Sequence, residues 1–582
     1  MKLNQDQQNA CNSINNFLRS KNKFFNLKGP AGSGKTTVIS EMFKNPVHSH
    51  KKIILSATTN KAVSVIDQMV SDRFGDIYEN IDFHTIHKIC NIKRKIDHDG
   101  IETFNFDEKP NYNKKAKTIY NYDIIVIDES SMITLDMLKH LHAIKRRMRG
   151  KVIFVGDNYQ LPPVNENESM VFDFDYFDDS FTLTKIERFN SNILKFSIRI
   201  RDSIDTKSPI SIKNMSDDTF QIFKNDSKAW MDDYLSAFSY ENTFLAYTNK
   251  RCDYVNNYIR KKYFKNDALP EYIQGELIVF NNYYNTQDLN ENSQGDNGDV
   301  SSSASKFYTS NGGKILDCKT QSYTIPGFPL DSLINLNQKM TVNFKLKKKR
   351  RSASKLTENQ SGNSVENKDS ESEPGKICPI CFDEIKNVDN ILETDCKHVY
   401  CEDCIRMWLV DNKTCPFCRM TIVEDKIIIN NDPKLTEKLN ALVELTSNKS
   451  FEIWNLMVQS KECTGNVYII KKEEKQMFEA HKENIKRCVV DIKNYIYRNV
   501  KKSDNRFILK RFWEYYYLNY IDYFADISYG YCITVHKSQG STFNKVYIDA
   551  KNILEYNRKG YINYKCLYTA ITRASEKVLM FI

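Results

Sequence analysis

The chain has 582 residues, and 84 Lys and Arg against 74 Asp and Glu leave a net charge of +10. This length exceeds what one hydrophobic core serves, which predicts two to four domains, and the basic excess favours a polyanionic partner. No apolar run reaches the roughly 18 to 20 residues of a membrane-spanning helix, and no signal-like stretch opens the chain, so its 15 cysteines are expected as thiols or metal ligands in a reducing intracellular compartment, nucleus or cytoplasm.

The first apolar segment, Phe24 to Leu27, runs into Gly29-Pro30-Ala31-Gly32-Ser33-Gly34-Lys35-Thr36, the G-x4-G-K-[ST] pattern of a phosphate loop opening a helix. Glycines let backbone N–H groups curl around phosphates, Lys35 adds a point charge, and the Thr36 hydroxyl helps hold Mg²⁺. Lys52 to Leu55, Ile124 to Ile127 and Val152 to Val155 are short apolar runs separated by helix-like stretches, the pattern of buried parallel strands in an α/β core. Asp128-Glu129 ends the second of these, where a strand's carboxyl end meets a nucleotide crevice. Asp128 is expected on Mg²⁺, with Glu129 polarising water. Upstream of that strand, Lys93 to Phe106 reads as a hairpin centred on Asp99-Gly100, a pair that suits a tight primed turn.

A second set of strands begins at Phe244 to Tyr247 and returns at Val546 to Ile548 and Val578 to Phe581. Residues 282–305 and 352–374 are rich in Asn, Ser, Gly and charge, as flexible connections are. Lys345 to Arg351 reads as a solvated basic flank, with a nuclear localisation signal or a DNA-contacting arm as the alternative, and Trp513 with Tyr515, Tyr516 and Tyr517 reads as helix packing, with base stacking as the alternative. Cys378-x2-Cys381-x14-Cys396-x-His398-x2-Cys401-x2-Cys404-x10-Cys415-x2-Cys418 supplies eight ligands, enough for two tetrahedral Zn²⁺ sites. The remaining cysteines, among them Cys11, Cys90, Cys532 and Cys566, lack ligand spacing.

Ordered motifs make the chain resemble the superfamily 1B DNA helicases, especially the RecD and phage Dda kind. Leu3-x3-Gln7-x2-Ala10 is similar to the adenine-reading Q motif, and Ser56 to Ala62 and Phe83 to His87 resemble motifs Ia and Ib. Gly156 to Val164 is similar to motif III and Leu183 to Arg188 to motif IV, although Phe189 stands where the family usually has Gln. Leu245 to Asn249 looks like the strand opening the second RecA-like lobe, Thr534 to Ser541 like motif V, and Leu567 to Ala574 like motif VI. The resemblance implies ATP bound by Gln7 and by Gly29 through Thr37, with Lys35, Asp128, Glu129, Gln160, Arg188 and Arg573 doing the chemistry. It implies strand contacts from Thr58, Asn60, Thr85, His87, His536, Lys537 and Ser538, and 5′-to-3′ movement on single-stranded or forked DNA. It also makes the 93–106 hairpin the strand-splitting pin, with a surface hairpin as the alternative. RNA stays open as the strand.

The cysteine pattern resembles a C3HC4 RING finger, which implies that Cys378, Cys381, Cys401 and Cys404 hold one Zn²⁺, and Cys396, His398, Cys415 and Cys418 the other. Ile380, Trp408, Pro416 and Arg419 resemble the surface that grips a ubiquitin-conjugating enzyme and ubiquitin, which implies ligase activity; a purely structural or protein-binding RING is the alternative. Gly275 to Phe280 and Phe451 to Trp454 resemble strands of the SH3-like barrel that this family inserts into its second lobe. The expected organisation is α/β: a first RecA-like lobe over 1–180, a second over 181–271 and 476–582, an SH3-like insertion over 272–345 and 426–475, a linker over 346–375 and a RING over 376–425. A phage-like motor joined to a eukaryotic ubiquitin module points to a large DNA virus and a eukaryotic host cell.

Overall fold

Runs of Ile, Val and Phe make the first sheet, because branched and aromatic side chains pack well on a pleated, buried surface. In a computed structural model, β1 (Phe24–Lys28), β2 (Ile53–Ala57), β3 (Ile81–Phe83), β6 (Ile124–Asp128), β7 (Lys151–Gly156) and β8 (Asp179–Thr182) form a six-stranded parallel sheet in the order β3-β2-β6-β7-β1-β8. The structure describes residues 3–43, 50–74, 80–97, 99–105, 117–186, 192–210, 216–224, 227–285, 305–330, 343–344, 347–348, 378, 380, 391–393, 398–401, 404–405, 408, 414–417, 424–425, 433–447, 449–499, 505–556 and 561–582. Both faces of this sheet are covered: Leu27, Leu55 and Val155 pack on one side, Phe24, Ile125 and Phe154 on the other. Each such buried side chain contributes roughly 1.5–3 kcal/mol.

Between β3 and β6, β4 (Lys93–Ile96) and β5 (Glu102–Asn105) form the expected antiparallel hairpin. Its reversal is wider than a two-residue primed turn. The Gly100 N–H donates to the Asp97 carbonyl at 3.1 Å, the Asp97 N–H donates to the Ile101 carbonyl at 3.1 Å, and Gly100 takes φ +74°. The Asp97 carboxylate accepts from the Asp99 and Ile101 N–H groups, both at 2.8 Å, and so organises the loop from its first residue.

The second parallel sheet contains β9 (Phe220–Phe223), β10 (Asn242–Ala246), β18 (Cys532–Thr534), β19 (Phe543–Asp549) and β20 (Ala574–Phe581), in the order β18-β10-β19-β20-β9. The α/β expectation with two parallel sheets therefore holds. A third sheet combines β11 (Leu277–Phe280), β14 (Gly312–Ile325), β15 (Lys449–Ser460), β16 (Thr464–Ile470) and β17 (Ile527–Tyr529), in the order β16-β15-β14-β11-β17. Its pairs β11–β14, β11–β17 and β15–β16 are antiparallel. A short ladder of β12 (Tyr284–Asn285) with β13 (Lys306–Phe307) flanks it.

Residues Met1–Tyr323, Phe451–Phe478 and Tyr516–Ile582 form one compact unit, which holds both parallel sheets and most of the antiparallel one. Thr324–Ser450 with Glu479–Tyr515 form a second. The helix Lys472–Asn499 enters the second unit at Glu479, and the second parallel sheet continues at β18. Ile485, Val489, Ile492 and Ile496 are all buried along one stripe of that helix. Trp513, Tyr515 and Tyr516 are buried as well, in keeping with packing rather than base stacking. Among the described residues no helix is long and apolar enough to cross a membrane.

Candidate functional site

The phosphate loop leaves β1 at its carboxyl end and is tied to β7 by the Gly29 N–H, which donates to the Gly156 carbonyl at 3.1 Å. Gly32 and Gly34 take φ +79° and +83°, a region that costs L residues energy, so the curl that aims N–H groups inward depends on glycine. A Cβ on Gly34 would stand 2.3 Å from Gln7 Nε2. Gln7 itself is buried at the start of the helix Gln5–Arg19, and its Nε2 donates to the Ser33 carbonyl at 3.3 Å. Lys35 opens the helix Lys35–Phe43, and its ammonium donates to the Gly29 and Pro30 carbonyls at 2.7 and 3.0 Å. Thr36 and Thr37 follow in the same helix, whose N-terminus favours anions.

Asp128 ends β6, and its Oδ1 accepts from the Glu129 N–H at 2.8 Å. Burial, and then the neighbouring Glu129 charge, push the Asp128 carboxyl up to about 6, with Lys35 pulling the other way. Glu129 takes φ 48°, ψ 41°, a left-handed backbone at a residue that is not glycine, and conformations of this kind cluster at functional positions. Arg573 reaches this point from the second sheet's side, with Nη1 3.8 Å from Glu129 Oε1. Its guanidinium is buried and also donates to the carbonyls of Thr569 and Ser541.

Polar atoms around this crevice fit a bound triphosphate and cation. Ser33 Oγ, Ser130 Oγ, Ser131 Oγ, Gln160 Oε1 and Ser541 Oγ are buried and find no hydrogen-bond partner among the described residues. Buried polar atoms rarely stay unpaired, so a polar ligand is the economical explanation. The donor set, a lysine, a buried carboxylate and a ring of amides, suits phosphate and Mg²⁺.

Three second-lobe side chains missed by sequence reasoning join the two parallel sheets here. The Tyr568 hydroxyl donates to Asp157 Oδ2 at 2.8 Å and accepts from the Ala31 N–H at 3.1 Å. Thr569 Oγ1 accepts from the Leu161 N–H at 3.0 Å, and Gln539 Nε2 donates to the Leu161 carbonyl at 3.2 Å. The residue after Gln160 thus has both backbone groups held from the opposite sheet. Arg188 lies outside the described residues.

The expected strand contacts have more varied surroundings. Thr58 Oγ1 lies 3.6 Å from Met132 Sδ, Asn60 is exposed at the start of the helix Asn60–Phe74, and Thr85 caps the helix Ile86–Ile89, which contains His87. His536 packs edge-on against Tyr247 at 5.8 Å, and burial lowers its pKa below the usual imidazole range. Lys537 Nζ donates to Asn281 Oδ1 at 2.6 Å and to Ser528 Oγ at 3.5 Å, beside a cavity of about 380 Å³. Ser538 is fully buried, and its hydroxyl donates to the Val535 carbonyl at 2.7 Å within the same turn. The hairpin is pinned in place, with Arg94 Nη1 bonding both Asp522 carboxylate oxygens at 2.9 Å and the Tyr517 hydroxyl donating to the Gly100 carbonyl at 3.0 Å.

In the second unit, the sulfurs of Cys378, Cys401 and Cys404 lie within 4.8 Å of one another. The Cys401 N–H donates to Cys378 Sγ at 3.4 Å, the contact that favours a thiolate. This all-sulfur donor set fits zinc. Cys415 Sγ stands 3.7 Å from His398 Nδ1, bringing together two ligands of the other expected set. Cys381, Cys396, Cys418 and Arg419 lie outside the described residues. Ile380, Trp408 and Pro416 are half-buried, and the Trp408 indole donates to the Thr414 carbonyl at 2.9 Å. Phe417, which the sequence reading passed over, is 69% exposed.

Comparison with known proteins agrees with this division. Residues 2–210 match the AAA domain family, residues 376–419 the Ring finger domain and residues 529–581 the UvrD-like helicase C-terminal domain. Protein R530 of Acanthamoeba polyphaga mimivirus is 25% identical over 99% of both chains. The ATP-dependent DNA helicase dda of Enterobacteria phage T4 is 26% identical over 48% of this chain and 60% of its own length. The E3 ubiquitin-protein ligase RNFT1 of Danio rerio is 44% identical over 55 residues, 10% of this chain and 12% of its own.

Proposed function

We propose that this chain, a superfamily 1B helicase of the RecD and Dda kind that carries a RING finger, couples ATP hydrolysis to 5′-to-3′ movement along single-stranded and forked DNA. The observation that carries this reading is the approach of Arg573 to Glu129, 3.8 Å apart beside the phosphate loop although the two sit on different sheets. Lys35 and the amides from Gly29 to Thr37 hold the triphosphate, and Gln7 reads the adenine. Thr36 and Asp128 hold Mg²⁺, which supplies charge neutralisation on the phosphate oxygens. Glu129 polarises the attacking water, while Gln160, Arg188 and Arg573 stabilise the charge that develops on the transferred phosphoryl group. Because Arg573 and Lys35 grip one molecule from two sides, its cleavage loosens the lobes. Alternating grips by Thr58, Asn60, Thr85 and His87 on one lobe and His536 and Lys537 on the other turn that loosening into a step. The β4–β5 hairpin serves as the wedge and the antiparallel sheet as the SH3-like insertion.

In the same reading, Cys378, Cys381, Cys401 and Cys404 hold one Zn²⁺ and Cys396, His398, Cys415 and Cys418 a second. Ile380, Trp408 and Pro416 dock a ubiquitin-conjugating enzyme, with Arg419 against ubiquitin. The match to a relative named as an E3 ubiquitin-protein ligase supports this, and the match to a viral protein supports action inside a host cell. The test is forked-DNA unwinding by wild type and Lys35→Ala, with ubiquitin conjugation measured on the same preparations. Unwinding is expected to vanish in Lys35→Ala while conjugation persists. Undiminished unwinding by Lys35→Ala overturns the motor reading; absence of ubiquitin chains from wild type across a panel of conjugating enzymes reduces the RING to a binding module. Strand-stimulated ATPase with DNA and RNA oligonucleotides separates the two nucleic acids.

A further inference from the structure

The segment that leaves β7 carries Gln160 between two side chains that are seated in the other sheet's core. Leu161 is fully buried in the cluster that holds Phe196, Val546 and Ile571 around the second parallel sheet, and the Tyr159 ring packs against the same cluster. The Tyr159 hydroxyl donates to Asp205 Oδ2 at 2.7 Å, and its ring centroid lies 5.6 Å from the Arg201 guanidinium and 6.0 Å from the Tyr568 ring. Arg201 and Asp205 stand one turn apart on the helix Asn192–Thr206, whose Ile193, Phe196 and Ile200 are buried in that cluster.

An aromatic face attracts a guanidinium and a phenol donates well to a carboxylate, so one tyrosine fits a slot built from a cation, an anion and a second ring. Burial, and then the bond to Asp205, push the Tyr159 hydroxyl up to about 12, so it keeps its proton and stays a donor. The backbone of the same residue is tied to the first sheet. The Tyr159 N–H donates to Asp157 Oδ1 at 3.0 Å, and the Gln160 N–H donates to the Asp157 carbonyl at 3.2 Å, directly after β7. A side chain seated against one sheet, on a backbone held by the other, displaces its neighbour whenever the two sheets part. That neighbour is Gln160, whose Oε1 is buried and without a hydrogen-bond partner among the described residues.

We propose that Tyr159 is a positioning residue: seated against Arg201 and Asp205, it sets Gln160 in the nucleotide crevice as the two lobes close. The proposal rests on the translocase reading and adds to it the side chain that reports lobe closure to the phosphate site. Tyr159 touches no phosphate and acts through the residue beside it.

The test is steady-state ATPase of the full chain with oligothymidine, comparing wild type with Tyr159→Phe, Asp205→Ala, Asp205→Asn and the double variant Tyr159→Phe/Asp205→Ala. Tyr159→Phe and Asp205→Ala each remove one end of a hydrogen bond to a charged group. Each should lower kcat roughly 10-fold with KM for ATP within about twofold, the mark of an interaction made only in the closed, reacting state. The double variant should lose no more than either single one, because all three lack the same bond. Asp205→Asn keeps an acceptor oxygen and should recover most of the rate. Equal kcat of Tyr159→Phe and wild type overturns the positioning role, as do losses that add in the double variant or a rise in KM with kcat unchanged. Wild-type ATPase that does not respond to the strand overturns the translocase reading itself, and the positioning role with it.

Discussion

The nucleotide crevice and the zinc module both gather side chains that are distant in sequence, by opposite physical means. In the crevice, strand ends and a helix deliver the groups, and direct bonds such as Tyr568 to Asp157 at 2.8 Å fix them. Among the described residues the zinc module has short ladders to work with, such as Ile391–Glu393 against Val399–Cys401, and it crowds three thiols within 4.8 Å. Thiolates at that spacing repel unless a cation neutralises them, so ligand binding and folding become one event there. The crevice should therefore keep its shape when its ligand leaves, and the zinc module should not.

Metal removal is the largest test of that difference. Chelation, or Cys404→Ser, should abolish ubiquitin conjugation, because a structural zinc contributes on the order of 10 kcal/mol to a small domain. DNA-stimulated ATPase should stay within about twofold, because the crevice draws none of its side chains from the zinc module; a parallel collapse of both activities would break the contrast. Next in size, Arg573→Ala should lower the kcat of ATP hydrolysis about 10³-fold, the scale of a lost arginine finger, with zinc content unchanged by metal analysis. Tyr568→Phe keeps the ring and removes both hydrogen bonds; at about 1 kcal/mol for each lost bond, DNA-stimulated kcat should drop roughly fivefold to 30-fold with little change in KM for ATP. A change in KM alone would mean that Tyr568 serves binding instead of lobe closure. The smallest effect belongs to the hairpin: Gly100→Ala forces a left-handed alanine and should destabilise the loop by about 1 kcal/mol. That should appear as reduced unwinding of long duplexes with strand-stimulated ATPase intact.

What the sequence could reveal follows from the range of each interaction. Gly32, Gly34 and Lys35 were readable because phosphate binding demands fixed local spacing, and Asp128-Glu129 because a strand's end is marked by where its apolar run stops. The bonds from Tyr568 to Ala31 and Thr569 to Leu161 span hundreds of residues and leave no local pattern, so they surfaced only in three dimensions. Ser538 was readable only as a motif position, and the bond of its hydroxyl to the Val535 carbonyl surfaced with the fold. Asp99-Gly100 correctly marked a reversal, but the side chain of Asp97, two residues earlier, decides its width. The sequence reading named no element over the buried stripe from Ile485 to Ile496, and nothing local announces which compact unit a helix joins.

The left-handed backbone of Glu129 has an evolutionary corollary. An L residue held there gives up roughly 1–2 kcal/mol that glycine would recover. Selection for heat resistance alone should therefore drift toward Glu129→Gly, yielding a hardier protein that still grips ATP and no longer turns it over. Retention of glutamate at that spot would then report that turnover, not durability, is what the lineage has been asked to keep.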